Sequence, residues 1–282
     1  MFDKDSIELL QQAGAIRAAS AAVNEALEGD HPEKRTYGLI ALPSDFTKHD
    51  LETFMPLRRR ARGTMDTSDI KAFASYTTQH AEDGATVFVN AESMAATAVL
   101  NLGTKDAPGH ADNQAKIKLK ATAAYQALAL VARGSAITQV QAAEFLEDWP
   151  DLITCFNDAG EISKPKAVAA VRKLSIEAMR KIESSAQNLS ASKSAFESVQ
   201  ATSADPIPTT IYFNCEPYHG LPERQFVLRL GILTAGDKPS IVLRIVKQEL
   251  HAEEMANEFA DCIRDALSSK LPVHIGSYAA SK

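Results

Sequence analysis

Four arginines, Arg58, Arg59, Arg60 and Arg62, fall within five positions of the stretch "PLRRRARGTMD". Guanidinium groups grip phosphates and carboxylates through two parallel hydrogen bonds, and several on one loop can engage a polyanion together. The nearby acids Asp45, Asp50 and Glu52 offer a plainer use, intramolecular ion pairing. A second basic island runs from Asn113 to Gly134, where no acidic residue occurs. In "QAKIKLKA" the residues Gln114, Lys116, Lys118 and Lys120 alternate with Ala115, Ile117, Leu119 and Ala121. A strand here turns a lysine row to one side and an apolar row to the other. Such a row can meet nucleic-acid phosphates, or it can be a solvated face that blocks edge-to-edge aggregation. No aromatic residue is interleaved with these lysines, so the stretch alone lacks the base-stacking platform of a single-strand binder.

Catalytic chemistry finds little footing. The chain has no phosphate-cradling Walker loop, no Gly-x-Gly-x-x-Gly, no His-Glu-x-x-His and no Gly-x-Ser-x-Gly. His110 and Asp112, in "GHAD", have the types of a base and its orienter, but a loop histidine beside an aspartate is the commoner arrangement. Tyr76 and His80 stand one helical turn apart, where a histidine also favours the helix dipole. Cys155, Cys215 and Cys262 lie far apart in apolar surroundings and form no Cys-x-x-Cys pair, which points to reduced thiols. No catalytic residue, metal or cofactor is expected.

The 282 residues carry 45% hydrophobic content and a formal net charge of -6, enough to bury a full core and too acidic for nonspecific coating of nucleic acid. No apolar run approaches the roughly 18 residues of a bilayer span, and "MFDKDSIELLQQAG" is acidic and amphipathic where a signal peptide is basic and then apolar. A cytoplasmic, membrane-free protein is expected.

The elements that must position these side chains follow from periodicity. Ile7, Leu10, Ile16, Val23 and Leu27 predict a helix over 6–28, and "TYGLIALP" predicts a strand over 36–43. Pro56 starts the arginine stretch in loop conformation, feeding a helix in "TSDIKAFASYTTQH" capped by Thr67 or Ser68, with Ile70, Phe73, Ala74 and Thr77 on one face. "ATVFVN" and "TAVLNLG" predict a hairpin, and the lysine-faced strand follows. Helices are predicted in "ATAAYQALALVAR" and in "ITQVQAAEFLEDWPDLITCF", the second with Val140, Ala143, Phe145, Leu146 and Trp149 on or near its buried side until Pro150 stops it, with a loop at "NDAGEISKP". From Lys166 to about Gln200 a long amphipathic helix is predicted, its stripe running through Val171, Leu174, Ile182, Leu189 and Phe196 and needing a partner helix. Pro206 and Pro208 mark a linker; three strands, a helix over 251–270 and a closing strand at "PVHIGSYA" complete the chain. The fold class is α+β, with mixed helices, two β-rich portions and the long helix between them. The expected organisation is an arm over 1–50, an α+β portion with the basic loop over 51–160, the long helix over 161–204, and antiparallel strands plus a helix over 205–282.

"DAPGHADNQAKIKL", "TQVQAAEFLED", "QFVLRL" and "LRIVKQEL" together resemble the YfdQ-like family of phage and prophage proteins, over most of the chain from about Leu51. The resemblance implies a phage-borne protein of unassigned activity, often encoded among early DNA-metabolism genes, and carries no active-site residue. The expectation is a nonenzymatic accessory protein in phage DNA replication or recombination, contacting nucleic acid or an acidic protein through Arg58, Arg59, Arg60, Arg62, Lys116, Lys118 and Lys120. One alternative is a self-assembling ring or shell, homo-oligomerising through Leu174, Ile182, Leu189 and Phe196. Another is an antagonist of a host defence protein or its signal nucleotide.

Overall fold

A computed structural model describes residues 4–28, 52, 56–58, 60–173, 206–233 and 240–279. The chain divides after Arg60 into two units. In the first, α1 (Lys4–Glu28) is a helix of 25 residues, as its spacing predicts, and Ile7, Leu9, Leu10 and Ile16 along it are exposed. The strand expected over 36–43 lies outside the described residues.

The second unit opens with β1 (Gly63–Thr67), α2 (Ile70–His80), β2 (Thr86–Asn90), β3 (Ala95–Val99), β4 (Asn113–Lys118) and α3 (Ala123–Val131). It continues with β5 (Ile137–Thr138), α4 (Gln139–Asp148), β6 (Ile153–Asn157), β7 (Gly160–Ile162) and α5 (Lys164–Arg172). After an undescribed stretch come β8 (Thr210–Cys215), β9 (Arg224–Leu233), β10 (Ser240–Ile245), α6 (Gln248–Ala266) and β11 (Val273–Ile275). Helices and two sheets make the fold α+β.

The first sheet has the order β1-β4-β3-β2-β11. The predicted hairpin is β2 against β3, and β4 pairs antiparallel with β3. Both outer strands, β1 on β4 and β11 on β2, pair parallel. The alternation in β4 sends Ala115, Ile117 and Leu119 inward with Val87, Val89, Ala96 and Ala98, while Lys116 and Lys118 stay exposed. Phe73, Ala74 and Thr77 of α2 and Met255, Phe259 and Ile263 of α6 complete that buried side. The helix cap is Asp69, not Thr67 or Ser68. Its carboxylate accepts from the Ala72 amide at 2.6 Å, while Thr67 Oγ1 accepts from the Asp69 amide at 3.1 Å.

The second sheet is antiparallel throughout, in the order β5-β10-β9-β8-β6-β7. Helices cover one side of it. Phe145 of α4 stacks on Phe213 of β8 at 5.3 Å, Trp149 meets the same ring edge-on, and Ala167, Ala170 and Val171 of α5 are buried. A capping box starts α4: Thr138 and Gln141 each accept from the other's backbone amide, and the helix ends before Pro150 as predicted. One core runs through both sheets.

Several local expectations are corrected. The arginine stretch feeds the edge strand β1 rather than a helix directly, and the expected loop over 157–165 holds β7. Val140 is exposed, because the buried stripe of α4 runs through Ala142, Ala143, Phe145 and Leu146. Ile207 and Pro208 are buried beside β8, and the Thr209 amide donates to Phe156 O at 2.9 Å, so this segment is core where a linker was expected. The long helix is described only as α5, capped at Lys173; Leu174, Ile182, Leu189 and Phe196 lie outside the described residues. The last helix begins at Gln248, three residues early, after Lys247 in the left-handed region. Strand membership also crosses the expected portions: β5, β6 and β7 join the second sheet, and β11 returns to the first.

Candidate functional site

The lysine row occupies the side of the first sheet opposite α2. Register carries it across the strands: Lys116 of β4 faces Thr97 of β3, which faces Phe88 of β2, which faces His274 of β11. Paired residues share a side, and strands lie about 4.8 Å apart, so Lys116 and Phe88 stand about 10 Å apart on one surface. Phe88 is half-buried and stacks on Tyr278, ring centres 5.0 Å apart at 25°, with the His274 ring 6.0 Å away. The aromatic residues absent from the lysine strand's own sequence thus stand on the strands beside it. Lys118 and Lys120 extend the exposed row, and Lys120 O accepts from the His219 amide at 3.2 Å, while Ala121 bridges Tyr218. One acid, Asp66 on β1, sits in register beside Lys116.

The arginine stretch is split. Exposed Arg58 and half-buried Arg60 belong to the first unit, Arg62 precedes β1 in the second, and Arg59 lies outside the described residues. Within the second unit Arg62 is next to the edge of the lysine-bearing sheet, since the following Gly63 pairs with Asn113.

Asp112 is engaged in holding its loop. Its carboxylate accepts from Asn101 Nδ2 at 2.9 Å, and buried Asn101 in turn accepts from the Asn113 amide at 3.0 Å. His110 is exposed in the same loop. The rings of Tyr76 and His80 lie 4.3 Å apart at the exposed end of α2, the dipole-favoured position for a histidine. Among the described residues no three His, Cys, Asp or Glu side chains are grouped to hold a metal ion. The cysteines are free, and burial pushes the thiols of Cys155 to about 11 and Cys215 to about 12.

Sequence reasoning missed a charged cluster where α6 meets β9. Arg224 enters β9 with a side chain only 12% exposed; its guanidinium donates to Glu254, to Glu258 Oε1 at 2.5 Å and to His251 Nδ1 at 3.2 Å. Burial and then the adjacent Arg224 charge lower the His251 pKa. Tyr125 and Tyr218, 5.5 Å apart, pack beside it through Phe226, and burial raises both phenols. The spacing of His251, Glu254 and Glu258 along one helical face was the available signal. The arrangement is a charged clamp that fastens α6 to the second sheet.

Among the described residues no helix is long and apolar enough to cross a membrane. No curated protein and no solved structure matches the chain. One family does, over residues 4–278, nearly the whole length: the chain belongs to the uncharacterized conserved protein family DUF2303.

Proposed function

We propose that the chain binds single-stranded nucleic acid through the lysine-bearing side of its first sheet, as a nonenzymatic accessory protein. The observation that carries this reading is the register that sets Lys116 and Lys118 on one surface with Phe88, itself stacked on Tyr278. Lysines track the phosphates while the half-buried ring pair takes unpaired bases, the two ingredients of sequence-tolerant single-strand binding. The net charge of -6 confines such binding to a local patch. The resemblance to the YfdQ-like phage proteins supports a setting in phage DNA replication or recombination, inside the host cytoplasm. Arg58, Arg59, Arg60 and Arg62 are proposed as further phosphate contacts.

The test is fluorescence anisotropy with labelled oligothymidylate across a salt series. Changing Lys116, Lys118 and Lys120 to Gln removes up to three phosphate contacts and flattens the log affinity against log salt slope by about 2, at roughly 0.7 per contact on single strands. Wild-type protein that fails to bind, or a variant with an unchanged slope, refutes the reading.

A second reading, self-association, is favoured by the exposed Ile7, Leu9, Leu10 and Ile16 of α1. Light scattering before and after Leu10→Glu tests it; a particle larger than one chain that dissociates in the variant supports it, and a monomeric wild type excludes it.

A further inference from the structure

The second sheet repeats the same two ingredients on its side turned away from α4 and α5, with arginines in place of lysines. Arg244 of β10 stands directly opposite Arg229 of β9, and Arg133, just after α3, bridges Arg244 from the next position. All three are exposed. Like charges directly opposite each other in a sheet are destabilising, and here three share one row. No carboxylate pairs with any of them among the described residues; Arg229 donates to the neutral Thr210 Oγ1 at 2.7 Å.

The row continues along the register into aromatic surface. Thr210 faces Arg229 on one side and Phe156 of β6 on the other, and the Phe156 ring lies 4.8 Å from Tyr212, both half-buried. Tyr212 faces Val227, so it stands diagonally from Arg229. Glu161 of β7, opposite Phe156, is the one acid in this row, three strands removed from Arg229. The opposite side is filled by Phe145 and Trp149 against Phe213, so this row is turned away from the helices.

We infer that this surface is a second contact for the same single strand of nucleic acid, with Arg133, Arg229 and Arg244 on its phosphates and Tyr212 and Phe156 beneath its bases. The inference rests on the proposal that the chain binds single-stranded nucleic acid. Guanidinium forks grip phosphate bidentately, and a bound phosphate offsets the repulsion that the register builds in. The ring pair selects a strand with unpaired bases over a duplex, whose bases offer no face for stacking, and over an acidic protein, which has no need of a flat platform. Two platforms in one chain occupy a longer run of nucleotides than one.

The experiment compares three proteins: wild type, the Lys116, Lys118 and Lys120 to Gln variant, and a variant with Arg133, Arg229 and Arg244 changed to Gln. Each is titrated with oligothymidylates of increasing length across a salt series. The arginine variant should melt no lower than wild type, since it relieves like-charge contacts on an exposed row. It should bind roughly tenfold or more weakly, flatten the salt slope by about 2, and occlude fewer nucleotides. Tyr212→Ala should shorten the occluded length in the same way. An arginine variant that binds with wild-type slope and length, while the lysine variant is impaired, overturns the second contact and leaves the first. Impairment of the arginine variant alone leaves the second surface standing and refutes the lysine surface. Absence of binding by wild type refutes both.

Discussion

Replacing Arg224 with Met should unfasten α6 while keeping the aliphatic bulk of the side chain. The guanidinium is nearly buried, at 12% exposure, and holds Glu258 at 2.5 Å, with Glu254 and His251 as further partners. Without it, Glu258, about a third exposed, keeps a carboxylate turned toward the sheet with no cation. Its other oxygen, Glu258 Oε2, is already buried with no hydrogen-bond partner, as is Arg224 Nε. Losing a hydrogen bond to a charged group costs about 1.5–3 kcal/mol. The contact to Glu254, nearly half exposed, adds less than about 1 kcal/mol because water screens it. The total is about 2–4 kcal/mol. For a unit of this size each kcal/mol moves the melting temperature by about 2–4 °C, so a drop of roughly 5–15 °C is expected by circular dichroism. Adding Glu258→Gln should recover part of it, because an unpaired charge is worse than no pair at all. A melting temperature unchanged in Arg224→Met would show that the clamp does not hold the helix.

His251 gives the same region a pH dependence. Its pKa is lowered in the folded protein, first by burial and then by Arg224, so its contribution is fully present above the ordinary imidazole value of about 6.5 and is lost as pH falls through the lowered value. Melting temperatures between neutral and mildly acidic pH should fall less steeply in His251→Gln than in wild type. Gly84 has φ +77, and a Cβ there would lie 2.0 Å from Gly103 O; Gly84→Ala should cost about 2 kcal/mol or more in a denaturant titration, and an unchanged midpoint would contradict the close approach. A thiol reagent at pH 8 should label half-buried Cys262 first and reach Cys155 and Cys215 only on unfolding, since burial holds those two at about 11 and about 12.

The parts of the fold legible in sequence are those whose pattern is local. The lysine-faced strand, the β2–β3 hairpin and α2 each show their buried face as a period of two or of about 3.6 within a few residues. Strand β1, "GTMDT", shows no apolar alternation because it is a short edge whose hydrogen bonds come from β4, distant in sequence. Strand β6 follows α4 so closely that "DLITCF" extends the apolar run of the helix, and a short apolar run does not distinguish strand from helix. Parallel pairing of β11 with β2 joins the two ends of the second unit and leaves no local trace. The candidate surface divides the same way. Lys116, Lys118 and Lys120 announce themselves by alternation, whereas Phe88, Tyr278 and His274 become their neighbours only through the register of four strands. The same holds for Arg224, whose partners on α6 are spaced visibly but whose own role depends on which strand α6 packs against.

Photocrosslinking of the wild-type protein to oligothymidylate, followed by peptide mapping, tests the proposed interface most directly, because stacked rings crosslink to the bases they touch. Crosslinked peptides should contain Phe88 or Tyr278, and their yield should fall when Lys116, Lys118 and Lys120 are Gln. The absence of any crosslinked peptide carrying either ring would contradict binding on the lysine-bearing side of the first sheet.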